Sequence, residues 1–242
     1  MADPSGGGAL KQAEEVTSAG QQDRATVFSR IVHDEKALLR HINIYAEMTL
    51  DPQLDQGMRD DNMRKIMEKS RALARLLSVT RMLSTIDTQS IDNQQPVRLQ
   101  RFIRDILRKY SEGDDGIALV VTGDARIQCN KNLLAYALAE IGENSQRIAP
   151  PETGLKVAIA STPVPTITFQ TPGTGQTEDR FFDAFEKGGQ EKARKAASGL
   201  GLYVVARVMR WHGGKVLTHG RGDSFALSLA FPATAILGAE DI

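Results

Sequence analysis

The chain has one cysteine in 242 residues, Cys129, so an internal disulfide framework is excluded. A lone thiol fits a chain kept in a reducing compartment, and a cytoplasmic location is expected. With no partner ligand beside it, Cys129 reads as a small core residue rather than a nucleophile. Aromatic residues make up only 5% of the chain, too few for a base-stacking surface. Lys+Arg and Asp+Glu are both 30, so no net charge steers the chain toward nucleic acid or an anionic membrane. No apolar run approaches the roughly 20 residues of a membrane span. The N-terminus lacks the charged start and apolar core of a signal peptide. None of the 4 histidines pairs with the cysteine at metal-ligand spacing, so no structural zinc is expected.

What is present is an ordinary globular composition, 41% hydrophobic and 25% charged. Residues 1–22 are rich in Gly, Ser, Ala and Gln and read as a flexible tail or the end of a coupling helix. Residues 23–92 carry two helical patterns. The first, from Asp23 to about Leu50, runs Val27, Ile31, Leu38, Ile42, Tyr45. The second, from about Met58 to Ile86, carries Met63, Ile66, Leu73, Leu76, Leu77 and Leu83. Asp51-Pro52 and Gly57 separate them. Such a hairpin cannot bury both apolar faces alone, whereas two copies make a four-helix bundle, so a homodimer is expected. A polar linker, Asp87 to Gln95, ends at Pro96. Residues 93–242 then mix helices and strands: a helix from Leu99 to Tyr110, strands near 117–121, 126–128, 155–160 and 166–170, helices at 132–147 and 201–211, and a closing strand pair at 215–218 and 224–231. The expected class is α+β, a helical hairpin followed by an α/β sandwich.

Four short segments carry candidate chemistry. His33 lies mid-helix with Asp34 beside it. An exposed, neutral imidazole with a carboxylate to orient it can accept a phosphoryl group, although an ordinary surface histidine has the same local sequence. Glu140 and Asn144 are four apart and share a helix face. A carboxylate and an amide oxygen so placed can hold Mg²⁺ directly or through water, and equally can be two surface residues. Gly173 and Gly175 follow a strand, where glycine permits close backbone approach to a ligand. Ser198-Gly199-Leu200-Gly201-Leu202 precedes a helix, an arrangement that offers backbone N–H groups and the positive end of a helix dipole to phosphate. Between them, Glu186 to Ala197 reads as a mobile loop with Lys187, Lys192, Arg194 and Lys195.

Taken in order, these segments resemble the catalytic core of the sensor histidine kinases over residues 23 to 232. His33-Asp34 is similar to the phosphoacceptor and its acidic neighbour, and Glu140 to Asn144 to the asparagine box. Phe182-Asp183-Ala184-Phe185 resembles the phenylalanine box. Gly199-Leu200-Gly201-Leu202 with His212-Gly213-Gly214 is the strongest match, and Gly220 to Phe225 resembles the last glycine segment. The resemblance implies a GHKL-type ATP-binding domain at 93–242 behind a dimerisation and phosphotransfer hairpin at 23–92. It implies ATP and Mg²⁺ as cofactors, with Asn144 as the metal ligand. Glu140, Arg147, Thr171, Gly173, Gly175, Gly199, Gly201 and Leu202 would surround the nucleotide. The implied partners are a second copy and a response-regulator receiver domain that accepts the phosphoryl group on aspartate.

Four positions depart from the family pattern, one of them Glu35, which stands where an apolar residue is usual. Thr171 stands where an aspartate grips the adenine amino group. Losing a charged acceptor forfeits roughly 1.5–3 kcal/mol, about tenfold to a hundredfold in affinity. Ala37, four residues after His33, lacks the polar group that positions water for dephosphorylating the partner. Leu38 stands where proline often bends the helix. Thr171 keeps a second reading in view: an impaired pseudokinase, a scaffold, or a phosphotransfer protein charged by another donor. Other GHKL uses, such as protein-serine kinases of the anti-sigma type, lack the long phosphoacceptor hairpin.

Overall fold

The computed structural model describes residues 6–90, 93–111, 118–148, 154–172, 199–221 and 224–237, with the backbone alone at 6–24, 147, 148, 172, 220, 221 and 224. The chain forms two compact units, Met1–Thr80 and Arg81–Ile242. No helix among the described residues is long and apolar enough to cross a membrane.

The first unit is a helical hairpin. Helix α1 (Gly6–Thr49) begins earlier than the apolar pattern, through the segment whose composition reads as a tail or coupling helix. It runs unbroken past Leu38, as expected without a proline there. Helix α2 (Gln56–Thr88) starts where Asp55 caps it, its Oδ1 accepting from Met58 N–H at 2.9 Å. Arg59 closes the intervening loop by donating to the carbonyls of Asp51 at 2.8 Å and Leu54 at 3.0 Å. Within this unit the buried apolar side chains are Val27, Ile31, Leu76 and Val79. Each contributes roughly 1.5–3 kcal/mol, little against the roughly 1–2 kcal/mol that ordering each backbone residue costs. Among the described residues of this unit, nine large apolar side chains remain exposed, including Leu39, Met48, Met58, Met63, Met67 and Leu77.

The second unit is an α/β sandwich. Its elements are β1 (Gln95–Arg98), α3 (Leu99–Leu107), β2 (Leu119–Thr122), β3 (Arg126–Cys129), α4 (Lys131–Ile148), β4 (Leu155–Ala160), β5 (Thr166–Pro172), α5 (Gly201–Trp211), β6 (Lys215–Arg221) and β7 (Ser224–Ala230). Five strands form a mixed sheet in the order β2-β4-β5-β7-β6. Only the β2–β4 pair is parallel. One face is apolar: Val121, Val157, Phe169 and Leu227 stand in one row across four strands, and Ile159, Ile167 and Leu229 in the next. These residues are buried, together with Leu133, Leu134, Leu138 and Ile141 of α4 and Val204, Val205, Val208 and Met209 of α5. The opposite face carries Lys156, Gln170 and a Thr168–Ser228 hydroxyl pair at 2.9 Å.

In this unit β1 and α3 differ from the sequence expectation. Strand β1 starts at the last residue of what reads as linker and runs on through Pro96, paired antiparallel with β3 in a two-stranded sheet. Pro96 is tolerated because such a small sheet is all edge. Helix α3 also ends at Leu107, tightening into a 3₁₀ turn over Arg108–Tyr110.

Helices α4 and α5 run antiparallel. Gly201, at the start of α5, lies against Glu140 and Asn144 in the second half of α4. His212, just past the end of α5, meets Asn130 at the start of α4. Asn130 caps α4, its Oδ1 accepting from the N–H groups of Asn132 and Leu133 at 3.1 Å each. Its own N–H donates to His212 Nε2 at 3.0 Å. His212 Nδ1 lies 2.8 Å from the Val208 carbonyl, which only accepts, so Nδ1 carries the proton and Nε2 the lone pair. Helix α5 closes with a Schellman motif: Gly214 N–H donates to Met209 O at 2.8 Å and Gly213 N–H to Arg210 O at 3.0 Å. Gly213 supplies the required positive φ of 71°. Cys129 is fully buried, and burial pushes its thiol up to about 12, the behaviour of a core residue.

Burial holds His212 below its ordinary value of 6.5, only partly opposed by the Val208 hydrogen bond. The unfolded chain takes up a proton that the folded chain refuses. The stability from neutral His212 is therefore complete above about pH 6.5 and is lost as pH falls through the lower folded value. Thermal melts of His212→Gln should show lower stability at neutral pH but a shallower acid slope than wild type. An identical slope would place the acid sensitivity on other groups.

Candidate nucleotide and phosphoacceptor sites

In the second unit, α4 is approached on two different faces at positions where glycine makes room. Gly142 is buried, and a Cβ there would stand 2.6 Å from the Tyr110 ring and 2.9 Å from Leu107. It thus lets the 3₁₀ turn press against α4. Gly201 lies across the helix pair, where a Cβ would stand 2.7 Å from Glu140 Oε2 and 3.4 Å from Asn144 Nδ2. The two polar side chains of α4 therefore converge on bare backbone at the first turn of α5.

That turn is shaped by glycines and a buried apolar N-cap residue. Gly199 adopts φ 70°, the left-handed region that glycine favours. Leu200, at the N-cap, is fully buried and anchors the start of the helix, and it contributes no side-chain cap. Gly201 and Leu202 open the helix, so its first N–H groups and the positive end of its dipole lie beside Glu140 and Asn144.

Thr171 stands near the end of β5, opposite Phe225 of β7. The strand is longer than expected and keeps Thr171 in the ladder. The two-residue period puts it on the same face as the buried Ile167 and Phe169, and it is half-buried. Gly173, Gly175, the Lys187 to Lys195 loop and the Phe182 to Phe185 segment lie outside the described residues. Only the backbone of Arg147 is described, within α4.

In the first unit, the His33 side chain is 79% exposed and its Nδ1 lies 3.3 Å from Asp34 Oδ1. If Nδ1 donates to the carboxylate, Nε2 is left with its lone pair toward solvent. Two residues after His33, Glu35 accepts from Thr80 Oγ1 of α2 at 3.5 Å. His41 is exposed on the same helix.

Sequence reasoning missed the far end of the α4–α5 pair. There Asp87, Gln89, Asn130, Arg207, Trp211 and His212 are linked by hydrogen bonds. The only local signal was Asn130 just before a helix, an N-cap position.

Residues 129–233 match the family of histidine kinase-, DNA gyrase B-, and HSP90-like ATPases. The heme sensor protein HssS of Staphylococcus haemolyticus (strain JCSC1435) is 25% identical over 235 residues, 93% of this chain and 49% of that protein. The chain thus spans about half the length of this curated relative. Among solved structures, the Acinetobacter baumannii histidine kinase AdeS superposes with a TM-score of 0.65 at 17% identity, covering 83% of this chain and 98% of that one. Full-length ShkA, solved in complex with AMPPNP, does so with a TM-score of 0.60 at 16% identity, covering 89% of this chain and 47% of that one.

The two glycines of the site predict opposite outcomes. Gly142→Ala drives a methyl into an aromatic ring and a leucine, and should cost about 1–3 kcal/mol in denaturant titrations. Gly201→Ala meets only the mobile tips of Glu140 and Asn144, so its unfolding midpoint should stay near wild type. Equal losses would mean that the Gly201 contact is core packing.

Proposed function

Since this chain has the catalytic core of a sensor histidine kinase with an ATPase domain at 129–233, we propose that it phosphorylates itself on His33 from ATP and passes the phosphoryl group to an aspartate of a response-regulator receiver. The observation that carries this reading is the exposed His33 ring with Nδ1 beside Asp34. Asp34 holds the Nδ1 proton, and the Nε2 lone pair attacks the γ-phosphorus. An N–P bond forms as the bond from phosphorus to the β,γ-bridging oxygen breaks, and ADP leaves.

On the nucleotide side, backbone N–H groups at Gly199 to Leu202 bind phosphate at the helix start. Glu140 Oε2 and the Asn144 amide group both approach Gly201, with no Cβ between them, and with the amide turned so that its oxygen faces the same spot the pair fits Mg²⁺. Among the described residues there is no cluster of three or more His, Cys, Asp or Glu. The protein thus supplies only part of the shell, and phosphate and water complete it. The ion's contribution when bound is to neutralise charge on the transferring phosphoryl group. Arg147 follows on the same helix and is assigned to phosphate. Thr171, on the helix-facing side of the sheet, is assigned to the adenine with Gly173 and Gly175.

The exposed apolar residues of the hairpin support a homodimer that covers them as a four-helix bundle. Residues 23–92 would be that dimerisation and phosphotransfer element, and 93–242 the catalytic domain. Thr171 favours a second reading, an impaired kinase or a phosphotransfer protein that receives its phosphate from another donor.

Incubation with γ-labelled ATP and Mg²⁺ should put acid-labile, alkali-stable label on wild type and none on His33→Gln, with equal nucleotide affinity in both. Label that persists on His33→Gln would mean another acceptor, and a folded wild type without label would favour the second reading. Thr171→Asp should tighten ATP binding about tenfold or more in calorimetric titration by restoring the charged acceptor. Unchanged affinity would remove Thr171 from the adenine pocket.

A further inference from the structure

We propose that Asp87, Arg207 and Gln89 are positioning residues for the nucleotide site, forming a clamp that sets the register of α5 against α4. This rests on the nucleotide reading above. The clamp lies wholly within the second unit, at the end of the helix pair opposite Gly201. Arg207 Nη2 donates to Asp87 Oδ1 at 2.6 Å, and the side chains of Arg207 and Asp87 are only 15% and 21% exposed. The bond is charge-assisted and its two side chains are largely covered, although Asp87 as a whole residue is exposed. Two residues on, the Gln89 carbonyl accepts from Trp211 Nε1 at 3.4 Å. The Gln89 side-chain oxygen accepts from Asn130 Nδ2 at 3.2 Å.

One short stretch of chain thus grips α5 twice, through Arg207 and Trp211, and the cap of α4 once. His212 adds the direct bond between the two helices at the same end. Arg207 sits on the same rigid helix as Gly201, so an axial shift at one end appears at the other. Such a shift would carry Gly201, which faces Glu140 and Asn144 with no Cβ of its own, along those two side chains. A displacement of about one ångström would change which donors face the phosphates.

By linkage, a clamp that favours the binding geometry must itself be tightened by the ligand. The chain has a built-in reporter: its 1 tryptophan, Trp211, is a member of the clamp. Binding of AMPPNP with Mg²⁺ to the whole chain should change wild-type tryptophan emission. Asp87→Asn and Arg207→Gln should each weaken AMPPNP about fivefold to tenfold and diminish the emission response, as expected for coupled sites. Their combination should be no worse than either alone. Asp87→Glu should recover most of the affinity. A merely structural pair would lower the melting temperature and leave the affinity of the folded protein unchanged, and that result would overturn the proposal. Should Asp87→Asn fail to fold, Gln89→Ala keeps the ion pair and loses the Asn130 bond. A smaller loss of affinity there supports the clamp, and unchanged affinity overturns it. A wild type that binds no AMPPNP would sink the nucleotide reading and the clamp with it, whereas normal wild-type binding with unaffected variants would sink the clamp alone.

Discussion

The second unit depends on one constraint, the antiparallel apposition of α4 and α5. Every assigned feature of the nucleotide site that the described residues include, except Thr171, sits on these two helices or at their ends. Their approach is set by opposite means at the two ends. At the site end it is set by absence: Gly201 lacks a Cβ, so Glu140 and Asn144 reach bare backbone. At the far end it is set by specific bonds: Asn130 to His212, Gln89 to Asn130 and Arg207 to Asp87. A glycine contact alone would leave the helices free to slide, since an apolar interface resists separation more than translation. The directional bonds remove that freedom at the end where no ligand needs room.

The two ends also differed in how far the sequence disclosed them. The apolar periods of α4 and α5 and the glycines before α5 are local, and they located the helices to within a residue or two. The spacing of Glu140 and Asn144 placed them on one face, and the structure adds that the face looks at Gly201. The far end was not legible, because its pairs lie 82, 41 and 120 residues apart and none has a local pattern. His212 reads in sequence as part of a helix-ending His-Gly-Gly turn. Only the fold reveals that its ring is buried, neutral and bonded on both nitrogens. Strand β1 was hidden for a related reason: Pro96 signals a break, and the pairing with β3 that overrides the signal is tertiary.

The hairpin illustrates a different limit. Its helical periods were plain, but the pattern carries more apolar residues than one copy buries. Val27, Ile31, Leu76 and Val79 are covered, whereas Met48, Met63, Met67 and Leu77 are not. The surplus follows from arithmetic rather than from any particular contact: two helices have two apolar stripes wide enough for more than each other. On the proposed reading, the exposed His33 needs from its hairpin the rigidity that Gly201 needs from its neighbours, since in-line attack tolerates little misplacement.

Thr171 is where the competing functional readings meet, and the energetics separate them. On the proposed assignment, the lost aspartate acts on the base, at the end of β5. The phosphates are held elsewhere, at the first turn of α5 and by Asn144. A deficit of roughly 1.5–3 kcal/mol at the base therefore lowers affinity and blurs adenine selectivity, because selectivity of this kind comes from the hydrogen bonds a site makes to the base. It does not touch the groups that stabilise the transferring phosphoryl. A chain freed from nucleotide chemistry has no reason to keep a glycine at φ 70° and a second glycine pressed against a carboxylate. Yet Gly199 and Gly201 are both in place. Thr171 by itself thus argues for a weaker and less selective site, and a non-catalytic role would require a second loss at the phosphate end, where Glu140, Asn144, Gly199 and Gly201 all stand.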